Sequence, residues 1–513
     1  MGQKGIHPPA PGSTESHNLA GHTPAGSLLA RVIRFLPALV QLACLLVLSR
    51  LLLPASFGAY GLAFAITTFL SILGTSWIEI PQTALASEPR HAGCPARLIS
   101  TSTILALSSS LLLSLLGLGF LFAFRRALAP EFALALRTGL LSLPCLALFC
   151  PIALTDPGPF RFLRRFLPAI GMFAGVVLIR LYRLDASALL AGTGIAAGVA
   201  VLLRLNRLGA ATPREFSLPI ARRLLRTGLP LILPVLCWTL IAFSDRVVVF
   251  LLYGASGTGV YSLGWALADR LLCLIPVMLL SSDAHELARQ YSRRERSEAT
   301  AALNRQTASL LRVSFPAILV LFAFGSDLAR FLLPTAWQNS LGVLPWLAVS
   351  AAGFGFAGYA LIPLLASDGH ARYRRLMLSA AAMNVVLALL LAPMLGLSGA
   401  ALATAVTVLM TCTSLVRAGH EARTWRFPAR ALVIPALAGS TMLGVQFALK
   451  HFLVLNAGTL LLRVISGAVV YWVACLLADR VAASDLPSQL GHFWRRGATG
   501  FLRPFGIRVS VDN

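Results

Sequence analysis

Apolar runs of about 20 residues recur along almost the whole chain. Each run is long enough for an α-helix to cross the hydrocarbon core of a bilayer, which is roughly 30 Å thick. Only 12% of the 513 residues are charged, against roughly 25% in soluble domains. The sequence therefore predicts an all-α, multi-pass membrane protein. Its spans, about fourteen in number, are expected at 31–53, 57–78, 98–123, 131–153, 166–183, 186–206, 227–252, 258–282, 308–333, 341–366, 373–395, 397–417, 431–453 and 459–482.

Basic residues are divided very unequally between the two sides of this predicted bundle. If the N-terminus is cytoplasmic, the cytoplasmic segments hold 32 of the 43 Lys and Arg residues, and the outside segments hold six. Such a bias is typical of membrane proteins. It predicts that both termini are cytoplasmic. It also assigns most of the net charge of +24 to loops that face anionic membrane lipids, and not to nucleic-acid binding.

The two ends of the chain lack the features of a folded domain. Residues 1–27 are rich in Pro, Gly, Ser and His, which predicts a disordered cytoplasmic tail and not a signal peptide. Residues 483–513 predict a basic cytoplasmic tail. The connections between spans are too short for a soluble domain, so the function is expected to lie among the helices. The scattered cysteines predict no metal site, no disulfide framework and no cofactor.

Two stretches, 31–70 and 222–272, carry the same polar landmarks in the same order. Each opens with arginines, runs through an apolar helix that contains proline, and reaches a further arginine. Each then enters a Gly-x-Tyr triplet, at 58–60 and 259–261. Six predicted spans separate the two openings. Because an even number of spans preserves orientation, the repeats are expected to be parallel and related by an axis along the membrane normal.

The repeat divides the chain into expected units. Residues 28–213 form an N-lobe of six helices, and residues 214–418 form a C-lobe of six helices. Residues 419–482 add two further helices. Small residues near 186–198 and 393–402 occupy matching places in the two lobes, where they are expected to let helices pack closely.

Three ordered motifs carry a resemblance to a known family: "SRLLLPASFGAYGLAFA", "SDRVVVFLLYGASGTGVYSLGWALADRL" and "LGLSGAALATAV". Over about 31–418 the chain resembles the polysaccharide or O-antigen flippase branch of the multidrug/oligosaccharidyl-lipid/polysaccharide exporter superfamily. The resemblance implies two lobes around a central cavity, and alternating-access transport. The implied cargo is an oligosaccharide on a polyprenyl pyrophosphate carrier, moved across a bacterial inner membrane for surface polysaccharide biosynthesis. Many members have twelve helices, although lipid II flippases have fourteen, so the exact lipid cargo stays open.

Five charged residues predicted inside spans are candidates for the cargo site: Arg50, Arg246, Arg270, Asp245 and Asp269. An ionisable side chain at the bilayer centre costs about 2.5–3.5 kcal/mol and usually faces a partner or a watery cavity. In one interpretation the arginines attract an anionic headgroup, and the aspartates tune the site or carry protons. In the other, the two Asp-Arg pairs lie at one depth and form a structural clamp, Asp245 to Arg270 or Arg246 to Asp269. Arg50 could equally extend to the outer headgroups.

Two other function classes are alternatives for such a chain. A cation or drug antiporter would place an acid in its cavity, whereas the charged residues assigned to the membrane interior, five Arg against two Asp, favour an anionic cargo. Arg137 and Arg463 are expected at the membrane interface. A membrane glycosyltransferase or polymerase is disfavoured by the short outside loops, so no catalytic residue is predicted. The coupling ion, H⁺ or Na⁺, stays open.

Overall fold

The computed structural model is almost entirely α-helical over the residues that it describes, which are 24–86, 95–155, 159–182, 184–203, 213–273, 296–365, 369–422, 424–428, 430–452 and 457–483. The helices are α1 Pro24–Leu51, α2 Pro54–Ala86, α3 Pro95–Ala123, α4 Pro130–Thr155, α5 Pro159–Tyr182, α6 Ala188–Leu202, α7 Leu218–Ala268, α8 Arg296–Leu332, α9 Leu344–Leu365, α10 His370–Leu395, α11 Leu397–Glu421, α12 Arg430–Phe452 and α13 Ala457–Ala483. A π-helical turn, Asp269–Cys273, continues α7.

Helix α7 is bent at a single residue. Gly254 has φ 65° and ψ −168°, a backbone conformation that essentially only glycine adopts. It separates an arm over residues 218–253, called α7a, from an arm over residues 255–268, called α7b. The sequence predicts a turn of several residues here, between spans ending at 252 and starting at 258. The structure compresses that turn to one glycine, and this changes the relative depth of the residues on the two arms.

The apolar helices account for the predicted spans. Ten helices of the described chain are long and apolar enough to cross a membrane, and one of them is the bent α7. Three shorter apolar helices, Leu36–Leu51, Phe166–Tyr182 and Ala188–Leu202, complete the set. The prediction of an all-α, multi-pass membrane protein is confirmed. The predicted terminal tails, and residues 274–282 of the eighth predicted span, lie largely or wholly outside the described residues.

The helices pack as two bundles. In the first, α4 contacts α2, α3 and α6, while α5 contacts α1 and α6. In the second, α11 contacts α9, α10 and α7. Helices α12 and α13 pack on each other and on α8, around a small core that includes Met442 and Tyr471. The most extensive contact between the bundles joins α2 to α7.

The two Gly-x-Tyr triplets meet at this contact. A Cβ atom on Gly58 would lie 1.8 Å from the carbonyl oxygen of Ala255, and one on Gly259 would lie 1.8 Å from that of Pro54. Gly58 thus faces Ala255, four residues before Gly259, and Gly259 faces Pro54, four residues before Gly58. This reciprocal contact has the symmetry expected of two parallel repeats.

The small-residue segments bring neighbouring helices close together. Gly192 of α6 lies against the backbone of Gly171 and Gly175 in α5. Helix α10 passes into α11 through Gly396, whose φ is 67°, and Gly399 packs on the carbonyl of Leu391. These contacts match the expected role of small residues in helix packing.

The orientation in the membrane stays a prediction, with both termini expected in the cytoplasm. Reporter fusions at Gly257 and Lys450 are expected to report an external location, and a fusion at Arg296 an internal one, because the arginine-rich segments stay on the cytoplasmic side. An external signal from the Arg296 fusion would contradict the map.

Candidate functional site

A cavity of about 440 Å³ lies between the two bundles. Its wall combines residues of α1, α2, α4, α5 and α6 with residues of α7 and α9. The volume is in the range of pockets that hold small ligands. The charged residues of the wall are Arg246, Asp269 and Arg270. Its aromatic residues are Phe57, Tyr60, Phe64, Trp238, Phe243, Trp265 and Phe354.

Arg246 is the most deeply buried charge on this wall, with 4% of its surface exposed. Its guanidinium carbon lies 4.5 Å from the ring centroid of Phe243 and 5.6 Å from that of Trp265. Such cation–π contacts offset part of the cost of burying the charge. Its Nε and Nη1 atoms have no hydrogen-bond partner among the described residues. A buried donor left unpaired costs about 1–3 kcal/mol, so these N–H groups are suited to an acceptor that enters the cavity.

Asp245 is fully buried, but it does not belong to the cavity wall. Its Oδ2 accepts hydrogen bonds from the Tyr261 hydroxyl at 2.5 Å and from the Thr404 hydroxyl at 3.3 Å. Its Oδ1 accepts one from the backbone N–H of Arg246 at 2.8 Å. The carboxylate therefore connects α7a, α7b and α11 inside the second bundle, adjacent to the cavity but turned away from it.

Asp269 and Arg270 form an ion pair between sequence neighbours, in the π-helical turn after α7b. Their side chains retain 25% and 28% exposure, and both residues line the cavity. Among the described residues, neither pair expected for a clamp, Asp245 to Arg270 or Arg246 to Asp269, forms an ion pair within 4 Å, although Arg246 and Asp269 interact electrostatically. Asp269 engages its own neighbour instead.

The bend at Gly254 explains this difference. The Tyr261 hydroxyl donates to Asp245, so α7b runs back alongside α7a. Asp269 is eight residues beyond Tyr261, which places it about 12 Å further along the helix. Arg246, Asp269 and Arg270 nevertheless line one cavity, and the expectation that the two Asp-Arg pairs share one depth stays a prediction.

The remaining in-span arginines lie away from the cavity. Arg50 is exposed in the last turn of α1 and does not line the cavity. Arg137 is exposed on α4. Arg463 is only 2% exposed, and its expected place at the membrane interface stays a prediction. Helices α8, α12 and α13 pack together in this region, and Gln446 of α12 donates a hydrogen bond to the Arg463 carbonyl at 2.9 Å.

Several residues of the site are not among the sequence-predicted candidates. Trp238 and Trp265 meet Phe354 edge to face, with ring centroids 4.6 Å and 5.8 Å apart. Nothing in their apolar runs marks Trp238 and Phe354 as cavity residues, whereas Trp265 lies in one of the motifs that carry the family resemblance. Tyr261 and Thr404 were detectable, because each lies in a motif that carries the family resemblance. Within the described ranges, no three His, Cys, Asp or Glu side chains come together as a metal site.

Sequence comparison identifies no family model that matches this chain, and no curated protein matches it. Comparison with solved structures does find similar folds. The lipid II flippase MurJ in an inward closed conformation has a TM-score of 0.66 at 15% identity, and the alignment covers 89% of this chain and 100% of that one.

Multidrug transporters have the same architecture. An inward-facing MATE transporter of the MOP superfamily has a TM-score of 0.61 at 17% identity, over 77% of this chain and 99% of that one. A mutant of the Vibrio cholerae MATE transporter VcmN has a TM-score of 0.51 at 16% identity, over 76% of this chain and 94% of that one. At these identities the likeness shows the fold, which this chain shares with flippases and with drug transporters.

Proposed function

We propose that this protein flips a lipid-linked oligosaccharide on a polyprenyl pyrophosphate carrier across the bacterial inner membrane, by alternating access to the central cavity. Export for surface polysaccharide biosynthesis is the process that we expect it to serve. The observation that carries the proposal is Arg246, whose buried guanidinium has unpaired N–H groups at the cavity wall. A planar guanidinium can donate two parallel hydrogen bonds to phosphate oxygens, so a pyrophosphate would satisfy both its charge and its donors.

The charge balance of the wall favours an anionic cargo. Asp269 is the acid of the described cavity wall, and it is paired with Arg270. Asp245 is buried behind Arg246 and accepts its side-chain hydrogen bonds from Tyr261 and Thr404. The lining side chains, two arginines and one aspartate, carry one net positive charge, which Asp245 offsets from behind Arg246. A cation antiporter, which is the alternative that shares this fold, would need an acid that is free to bind its cargo.

The aromatic part of the wall fits a sugar. Trp238, Trp265 and Phe354 form one cluster at the cavity. The faces of aromatic rings are electron-rich, and they attract the weakly positive C–H groups that cover the apolar face of a sugar ring. A volume of about 440 Å³ suits the pyrophosphate and the first sugars, while the polyprenyl tail would remain in the bilayer.

Two further residues keep proposed roles. Asp245 is proposed to tune the site or to carry a proton, because its carboxylate joins three helical segments that would move relative to one another during transport. Arg50 stays a predicted cargo contact. Its position at the end of α1 would let it meet the headgroup at the predicted outer face, and not within the cavity.

Transport by the purified protein in proteoliposomes tests the proposed function. A fluorescent lipid-linked oligosaccharide is expected to become accessible in both leaflets faster than in protein-free liposomes. In parallel, a cationic dye is tested for export under H⁺ and Na⁺ gradients. Dye export without oligosaccharide flipping would replace this proposal with the antiporter alternative.

A further inference from the structure

A second concave surface lies on the outside of the second bundle, among α8, α9, α11 and α12. It has a volume of about 680 Å³, and most of the residues that line it are apolar. Leu409 and Leu432 on its border are 48% and 45% exposed, so the groove opens toward the surrounding lipid. We call this surface the α11 groove. It is separate from the cavity that contains Arg246.

The bottom of the α11 groove is made of small residues. The Cys412 thiol lies 3.3 Å from the carbonyl oxygen of Gly353, and a Cβ atom at residue 353 would lie 2.5 Å from Val408. Phe315 and Phe356 also line the groove. The groove therefore exists because α9 and α11 approach closely at its base while the larger side chains stand on either side.

One end of the α11 groove is basic. Arg417 and His420, in the last turns of α11, line it together with the apolar residues. The Arg417 side chain is 81% exposed, and its Nε donates to Glu421 at 2.9 Å. Glu421 also accepts from Arg372 at 2.5 Å. Because two guanidinium groups share one carboxylate, this end of the groove keeps a net positive charge.

The dimensions match one leaflet of a membrane. From Leu409 to His420 is eleven residues along α11, or about 16 Å. One leaflet contributes about half of a hydrocarbon core that is roughly 30 Å thick. The basic end lies at the predicted cytoplasmic face, where anionic lipids attract Lys and Arg and where basic pockets between helices bind lipid headgroups.

We propose that the α11 groove binds one anionic phospholipid of the cytoplasmic leaflet. An acyl chain lies along Phe315, Phe356 and Leu409, and the phosphate contacts Arg417 and His420. The charge at one end and the length of the apolar part select this occupant. The bound lipid fills the space between α12 and the second bundle. This site does not depend on what the central cavity transports.

Native mass spectrometry of the full-length protein, titrated with phosphatidylglycerol or phosphatidylcholine, tests the proposal. We expect one phosphatidylglycerol to be retained in preference to phosphatidylcholine. The double substitution Arg417→Ala/His420→Ala is expected to weaken phosphatidylglycerol binding by about fivefold or more, because each basic residue at the membrane surface contributes about 1 kcal/mol. Ala352→Phe, which fills the groove, is expected to abolish binding of both lipids.

Arg375→Ala is the matched control, because it removes an exposed arginine from the same predicted face without touching the groove. It should leave the retained lipid unchanged. Equal retention of the two phospholipids would overturn the proposal, as would an equal loss of binding in the Arg375→Ala protein. Displacement of phosphatidylglycerol by an equimolar polyprenyl phosphate would assign the groove to the lipid carrier instead and would also overturn it.

Discussion

Replacing Arg246 with alanine is expected to lower the rate of oligosaccharide flipping by about 10- to 100-fold. A hydrogen bond to a charged group contributes about 1.5–3 kcal/mol, and each 1.4 kcal/mol is a factor of ten. The side chain has no hydrogen-bond partner at Nε or Nη1 among the described residues, so its removal breaks no bond made by those atoms. The variant should therefore fold and insert into the membrane. The rate of oligosaccharide flipping in proteoliposomes measures the loss.

Two comparison variants sharpen this test. Arg137→Ala removes an exposed in-span arginine that lies outside the cavity, and it is expected to flip at the wild-type rate. Arg246→Lys is expected to recover only part of the activity, because an ammonium group is a point charge that lacks the planar two-pronged geometry. Equal losses in the Arg137→Ala and Arg246→Ala proteins, or full activity of Arg246→Ala, would remove Arg246 from the cargo site.

Replacing Gly259 with valine is expected to abolish transport almost completely. The added Cβ would lie 1.8 Å from the carbonyl oxygen of Pro54, and a backbone atom cannot rotate away. Helices α2 and α7b must then separate at the predicted outer face, which would hold the transporter open on that side. In a background without the native cysteines, Ser262→Cys should become more reactive toward a membrane-impermeant thiol reagent from outside. Ser262 is buried on the cavity wall beside Gly61.

Gly444→Val provides the control for this experiment. Its Cβ would meet no atom within 4 Å, so the substitution changes helix propensity but no contact between the bundles. It should leave both transport and thiol reactivity at the wild-type level. Wild-type flipping by the Gly259→Val protein, with Ser262→Cys still protected, would show that this contact does not close the outer face.

The spans were predictable because the membrane imposes a simple rule on length and polarity. Every backbone N–H and C=O group within the hydrocarbon must have a hydrogen-bond partner in the protein. An apolar run of about 20 residues is therefore expected to form an α-helix. The short link between α10 and α11 was predictable for a local reason, since Pro393 and its neighbouring glycines favour a turn, and Gly396 takes the left-handed conformation there. The Gly-x-Tyr repeat was visible in the sequence, but its part in the contact between α2 and α7b emerged only from the structure.

The cargo site was only partly predictable. Arg246 and Arg270 were candidates, and the structure places both on the cavity wall, together with Asp269. Arg50 was also a candidate, but the structure places it outside the cavity. Asp245 turned out to be bonded to Tyr261 and Thr404 within the second bundle. The depth of Asp269 relative to Asp245 depended on the bend at Gly254, whose position the hydropathy pattern locates only to within several residues.

The sequence by itself determined the all-α, multi-pass class, because this depends on the length and polarity of the apolar runs. The orientation and the division into lobes, which depend on charge distribution and on order along the chain, stay predictions from the sequence. Only the tertiary structure decided which side of each helix faces lipid and which faces the cavity. Lipid and protein interior are both apolar, so a transmembrane helix is hydrophobic on all sides, and its pattern does not show where it packs. The roles of Arg246, Trp238 and Phe354 at the cavity emerge from helix rotation and packing.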